Sequence, residues 1–128
     1  MLDSAIAGRI KDAVDAGFDE QVDFTAELVK FPSRRGREHT AQDFMANAMR
    51  EQGLGVDRWQ IDVDQISHLP GFSPVYADYD NVFNVVGSHR SATPTGRSLI
   101  LSGHSDVVPE GPHEMWTSPP YEPRIDDG

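Results

Sequence analysis

The chain has 128 residues, enough for one domain with a real core, and its 38% apolar and 25% charged content separates it from disordered sequences. Acidic residues outnumber basic ones, 21 to 11, giving a formal charge of −10 that opposes bulk-charge binding to nucleic acid or an anionic membrane. With no cysteine there is neither a disulfide framework nor a thiolate metal site, so any zinc would rest on histidine and carboxylate, the donors typical of catalytic sites.

The first residues carry charges every few positions, unlike a signal peptide, and no apolar run nears membrane length. A cytoplasmic setting without a membrane partner is the expectation. Residues 2–16 read as a helix, with Ile6, Ile10 and Val14 recurring on one face and Gly17 as the stop. Residues 18–31 read as a second, with Val22, Leu28 and Val29 on its apolar face and Pro32 ending it. A basic loop follows over residues 33–36, and Arg34, Arg35 and Arg37 make a small positive patch that reads as a solvated turn. Nucleic-acid binding through these arginines is disfavoured by the net charge.

Residues 38–52 give the strongest helical signal. Thr40 and Asp43 are candidates for the N-terminal cap, and Ala41, Phe44, Met45, Ala48 and Met49 form a stripe of core packing. Gly53 or Gly55 ends the helix. Trp59, Ile61 and Val63 alternate with Arg58, Gln60 and Asp62, the period of a half-buried strand with the apolar set inward. Residues 64–80 have no period and are broken by Pro70, Gly71 and Pro74. They read as a long loop, either functional or a variable insertion.

Residues 81–86 read as a second strand, residues 91–97 as a turn and residues 98–102 as a third strand buried on both faces. The link between the last two strands is too short for a helical crossover, so they should pair antiparallel. Residues 109–120 read as a loop over the mouth of the site, held down by Trp116. Residues 122–125 suggest a short strand, and Asp126, Asp127 and Gly128 carry the signal of a hairpin turn.

The stretch from Leu99 to Pro109 concentrates the chemistry. Its apolar start runs into Ser102, Gly103, His104, Ser105 and Asp106, polar groups at the carboxyl end of the expected strand, where open α/β sheets bind ligands. Residues two apart on a strand share a side, so His104 and Asp106 can act together. An imidazole can ligate a metal through one nitrogen while a carboxylate holds the other. Gly103 leaves room for a bend or a close approach. His39, His68, His89 and His113 have no partner at ligand spacing and read as surface residues.

The segments LILSGHSDVVPEG and WTSPPYEPRIDDG, with LVKFPSRRGRE and NVVG upstream, resemble the acetylornithine deacetylase / succinyl-diaminopimelate desuccinylase family of co-catalytic zinc hydrolases, relatives of aminoacylases and zinc di- and carboxypeptidases. The resemblance implies an α/β fold, a mixed sheet of at least three strands flanked by helices. It implies that His104 ligates one of two divalent ions, zinc with cobalt or manganese as alternatives. Asp106 would be the catalytic carboxylate that orients the imidazole. The substrate would be an N-acyl amino acid or a short peptide, and the complete protein a homodimer. In the family a Gly-Arg-Gly segment and the metal-bridging aspartate come next, so residues 1–128 are expected to be an N-terminal portion that stops short of them and is inactive alone. A standalone binding or assembly domain is the other reading.

Overall fold

The computed structural model describes residues 3–74, 79–93 and 95–126. The chain divides into two units, Met1–Phe31 with His113–Gly128, and Pro32–Pro112.

The first unit carries two helices. Helix α1 (Ser4–Ala16) starts where Asp3 turns its side chain onto the backbone N–H of Ala5 at 2.8 Å, a cap that satisfies one of the first-turn donors. Gly17 stops it by folding its N–H back onto Ala13, as expected of the glycine there. Helix α2 (Phe18–Val29) begins at once and places Asp19 and Glu20 in its first turn, where acidic side chains suit the helix dipole. It ends ahead of Pro32, which disfavours helical backbone in the residue before it. The apolar face of α1 is real but uncovered: Ile6, Ile10 and Val14 are exposed. Residues 122–125 form no strand, and His113–Met115 make a single 3-10 turn inside the expected loop. The hairpin turn expected at the end of the chain falls partly on Asp127 and Gly128, which lie outside the described residues.

The second unit is built on helix α3 (His39–Glu51) packed over a two-stranded antiparallel sheet, β1 (Gly55–Gln60) with β2 (Phe83–Ser88). The expected stripe on α3 lies on its covered side, where Ala41 is buried and Phe44, Met45, Ala48 and Met49 are half-buried. Two further residues, Gln42 and Ala46, are buried with it. The cap differs from expectation. Glu38 occupies the capping position without a side-chain hydrogen bond, Thr40 is already helical, and Asp43 is drawn away to Arg58 at 2.8 Å.

Strand β1 pairs with β2 from Gly55 opposite Ser88 to Gln60 opposite Phe83. It starts earlier than the alternation suggests and presents the opposite face. Val56 and Arg58 are the half-covered residues, and Trp59 is 42% exposed. The inversion has a clear cause. The Arg58 guanidinium lies 3.5 Å from the centroid of the Phe83 ring and pairs with Asp43. A cation over an aromatic face and an ion pair hold a charged side chain inward, and because strand side chains alternate, Trp59 must point out. Ile61 and Val63 leave the strand because Asp62 caps a further helical turn, α4 (Val63–Ile66), accepting from Asp64 N at 3.1 Å and Gln65 N at 3.4 Å. That turn occupies the start of the expected long loop, of which Val75, Tyr76, Ala77 and Asp78 lie outside the described residues.

On β2, Phe83, Val85 and Gly87 face the covered side. Gly87 is there because α3 sits so close: a Cβ at that position would stand 2.8 Å from Leu54 Cδ1 and 2.9 Å from Met49 Sδ. Gln42 ties the helix to the strand with both ends of its amide. Its Nε2 donates to the carbonyl of Phe83 at 2.6 Å, and its Oε1 accepts from the N–H of Phe83 at 3.1 Å.

The α/β class therefore holds, while the third strand does not form among the described residues. Leu99, Ile100 and Leu101 are irregular and 81–87% exposed. An apolar run becomes a strand only where a neighbour takes its backbone hydrogen bonds and layers cover its faces. Among the described residues β2 pairs only with β1, and its Phe83 backbone groups go to Gln42, so the expected hairpin between the second and third strands is absent, and the sheet is antiparallel rather than mixed.

Candidate functional site

His104 and Asp106 lie on the irregular segment that follows Leu101, not at the end of a strand. The segment is fixed locally by one backbone tie. Val107 forms a parallel bridge with Arg34, and its N–H donates to the carbonyl of Ser33 at 2.8 Å. Ser33 is buried, so the tether is anchored on covered backbone. An added Cβ at Gly103 would meet nothing within 4 Å, so that glycine serves no close approach.

Next to this tether, Nδ1 of His104 lies 3.2 Å from Oδ1 of Asp106 and 3.0 Å from its backbone oxygen. The side chains are 84% and 40% exposed. The ring nitrogen hydrogen-bonds the backbone oxygen of Asp106, with the carboxylate beside it at ion-pair distance, so the Nδ1 edge is the one turned to Asp106 and Nε2 is the nitrogen not engaged there. This is the disposition in which a carboxylate backs a histidine and its far nitrogen is free to ligate. The donor set suits one position of a divalent-metal site. Among the described residues no group of three His, Asp or Glu side chains comes together to complete one. His39 opens α3, His113 lies in the 3-10 turn, and His68 and His89 are exposed.

Two features carried no signal in the sequence. Glu110, whose side chain is mostly covered, lies 3.6 Å from Arg34 and holds the basic loop against the segment after Asp106. Pro109 joins Arg34, Arg35 and Arg37 around a cavity of about 260 Å³. Opposite charges far apart in sequence have no spacing rule, so only the folded backbone reveals the pair. A larger hollow of about 390 Å³ lies between the end of β1 and α4, with Asp62, Asp64 and Asp80 on its walls.

No protein-family model matches the chain. Curated proteins do. A succinyl-diaminopimelate desuccinylase of Stenotrophomonas maltophilia (strain K279a) is 32% identical over 107 residues, which is 84% of this chain and 23% of that protein. One from Xanthomonas oryzae pv. oryzae (strain PXO99A) is 45% identical over 58 residues, 45% of this chain and 15% of that protein. One from Dechloromonas aromatica (strain RCB) is 40% identical over the same length. The chain thus spans less than a quarter of the length of these relatives. Together with the α3–sheet layer, the matches support an α/β fragment of a peptidase-like domain. Within that class, the resemblance to the acetylornithine deacetylase / succinyl-diaminopimelate desuccinylase family is borne out over the matched regions. No helix among the described residues is long and apolar enough to cross a membrane.

Proposed function

We propose that this chain is part of a metal-dependent amidohydrolase that removes the acyl group from an N-acyl amino acid, an N-succinyl amino acid in the first place. The observation that carries this reading is the His104–Asp106 pair, with Nδ1 3.0 Å from the Asp106 backbone oxygen and 3.2 Å from its carboxylate, in a chain whose relatives are named desuccinylases. His104 would supply one ligand through Nε2, and Asp106 would hold the ring so that this nitrogen needs no reorientation on ligation. A pair of divalent ions, when bound, supplies Lewis acidity for amide hydrolysis. Among the described residues no further His, Asp or Glu side chains join the pair to complete the ligand set. The reading places the complete protein in the cytoplasm as a homodimer, with no nucleic-acid partner.

The test is turnover by the complete protein of N-succinyl-diaminopimelate, N-acetylornithine and a dipeptide, before and after chelation and zinc restoration. Metal-dependent release of succinate, with slower turnover of the other two, is the expected result. Preferred cleavage of the dipeptide would move the protein to the peptidase branch. Full activity after metal removal would refute the reading.

A further inference from the structure

The basic loop is the part of the molecule that the deacylase reading leaves unused. Folded, it is more than a solvated turn. The N–H of Arg34 donates to Pro32 O at 2.8 Å, and the N–H of Arg37 donates to Arg34 O at 2.7 Å. Gly36, with φ of 81°, sits third in the turn that the second bond closes, the position that needs a left-handed backbone. The turn and the Val107–Ser33 tether fix the loop at both ends. Three arginines are thereby collected around one hollow of about 260 Å³, with Pro109 as its apolar wall.

We propose that this hollow is a binding site for a small oxyanion, a carboxylate or phosphate group carried by a small molecule. Glu110, 3.6 Å from Arg34, offsets one of the three charges and holds that side chain in place. The side chains of Arg35 and Arg37 have no ion-pair partner among the described residues. Arg34 Nε is enclosed and has no hydrogen-bond partner. Like charges gathered in one place repel unless an anion lies between them, and guanidinium forks match carboxylate and phosphate oxygens two at a time. The modest volume favours a small ligand. Pockets for drug-sized molecules run to about 300–1,000 Å³, so this one suits a group or a very small molecule rather than a peptide or a nucleic-acid strand. The chain's charge of −10 points the same way, since a polyanion would be repelled by the rest of the surface.

The site also has a position relative to His104. Pro109 follows Asp106 by three residues, so its Cα lies within about 11 Å of that of Asp106. An N-acyl amino acid bound at His104 could reach the arginines with a terminal carboxylate. That placement rests on the deacylase reading, whereas the anion site itself does not.

Metal-free titration of the chain with succinate, inorganic phosphate and neutral succinamide, followed by calorimetry and by NMR of the loop amides, tests the site. Saturable binding of succinate, phosphate or both, with a dissociation constant of about 1 mM or tighter, is expected, and succinamide should not bind. Succinate alone would identify a carboxylate site, and phosphate alone a phosphate site. The Arg35→Ala/Arg37→Ala variant should bind at least about tenfold more weakly, and Arg35→Lys/Arg37→Lys should recover part of that loss because the charge returns without the fork. Both side chains are exposed and lie outside helices and strands, so circular dichroism should be unchanged in both variants. No saturable binding of either anion, equal binding of succinamide, or undiminished binding by the alanine variant would overturn the proposal. Tighter binding of a short oligonucleotide at the same amides would overturn it too. Because no metal is present, failure here is distinct from failure of the amidohydrolase reading.

Discussion

Replacing Gln42 by alanine tests how α3 is joined to the sheet. Gln42 is 8% exposed and spends both ends of its amide on Phe83, at 2.6 Å and 3.1 Å. Alanine removes both partners and leaves one backbone donor and one backbone acceptor at a part-buried strand end. An orphaned group costs about 1–3 kcal/mol when fully buried and less where water reaches it, so the expected loss for the two is about 2 kcal/mol. Gln42→Glu separates the two bonds. The carboxylate still accepts from the N–H of Phe83 but sets an oxygen against its carbonyl. That loss is present at neutral pH, where the side chain is charged. It shrinks as pH falls through the carboxyl range, near about 4.3 for an ordinary glutamate, because the protonated acid regains a donor. Urea denaturation followed by Trp59 fluorescence in a Trp116→Phe background reports on this unit alone, since Trp116 belongs to the other. Hydrogen exchange at the Phe83 amide reports the bond directly. A loss below about 0.5 kcal/mol, the range of an ordinary surface substitution, with unchanged exchange at Phe83, would refute the reasoning.

In the complete protein, His104→Ala should lower metal content by one ion and nearly abolish turnover. Asp106→Asn should keep the metal but lose about 10- to 100-fold in activity or affinity, and metal analysis beside kcat separates the two. Gly87→Ala should destabilise the second unit by about 1 kcal/mol, the low end for overpacking, because the atoms it meets are the ends of flexible Leu54 and Met49 side chains. A melt of that variant equal to the parent's would show that the helix can lift off the sheet freely. The isolated chain should self-associate through Leu99, Ile100 and Leu101, and changing all three to serine should restore a monomer by light scattering. An already monodisperse parent would remove that expectation.

The helices were legible because each signal was local. Period, capping residue and stop lie within a few positions, and α1 to α3 end within a residue or two of the expected bounds. The pairing of His104 with Asp106 was legible for the same reason, since two residues in sequence leave the chain little freedom, although its strand-end setting did not materialise. The inverted face of β1 was not legible. Alternation alone favours Trp59 inward, and only the Phe83 ring and Asp43, brought in by other elements, make Arg58 the better covered residue. The apolar run at Leu99 failed differently: hydrophobicity says that a segment seeks cover but does not say which neighbour provides it. Gln42 carries no signal in the sequence, because its role exists only where Phe83 presents both backbone groups to it.

The tie between Val107 and Ser33 has a kinetic consequence. It closes a long loop of chain with a single backbone hydrogen bond, worth net about 1 kcal/mol, helped only by the Arg34–Glu110 pair against the entropy of closure. Helices and the β1–β2 ladder draw on many cooperative contacts, so this latch forms late and opens early, ahead of global unfolding. Each opening releases the backbone next to the His104–Asp106 turn from its anchor. Whatever binds only the latched form therefore slows this local breathing and stabilises the latched form by mass action.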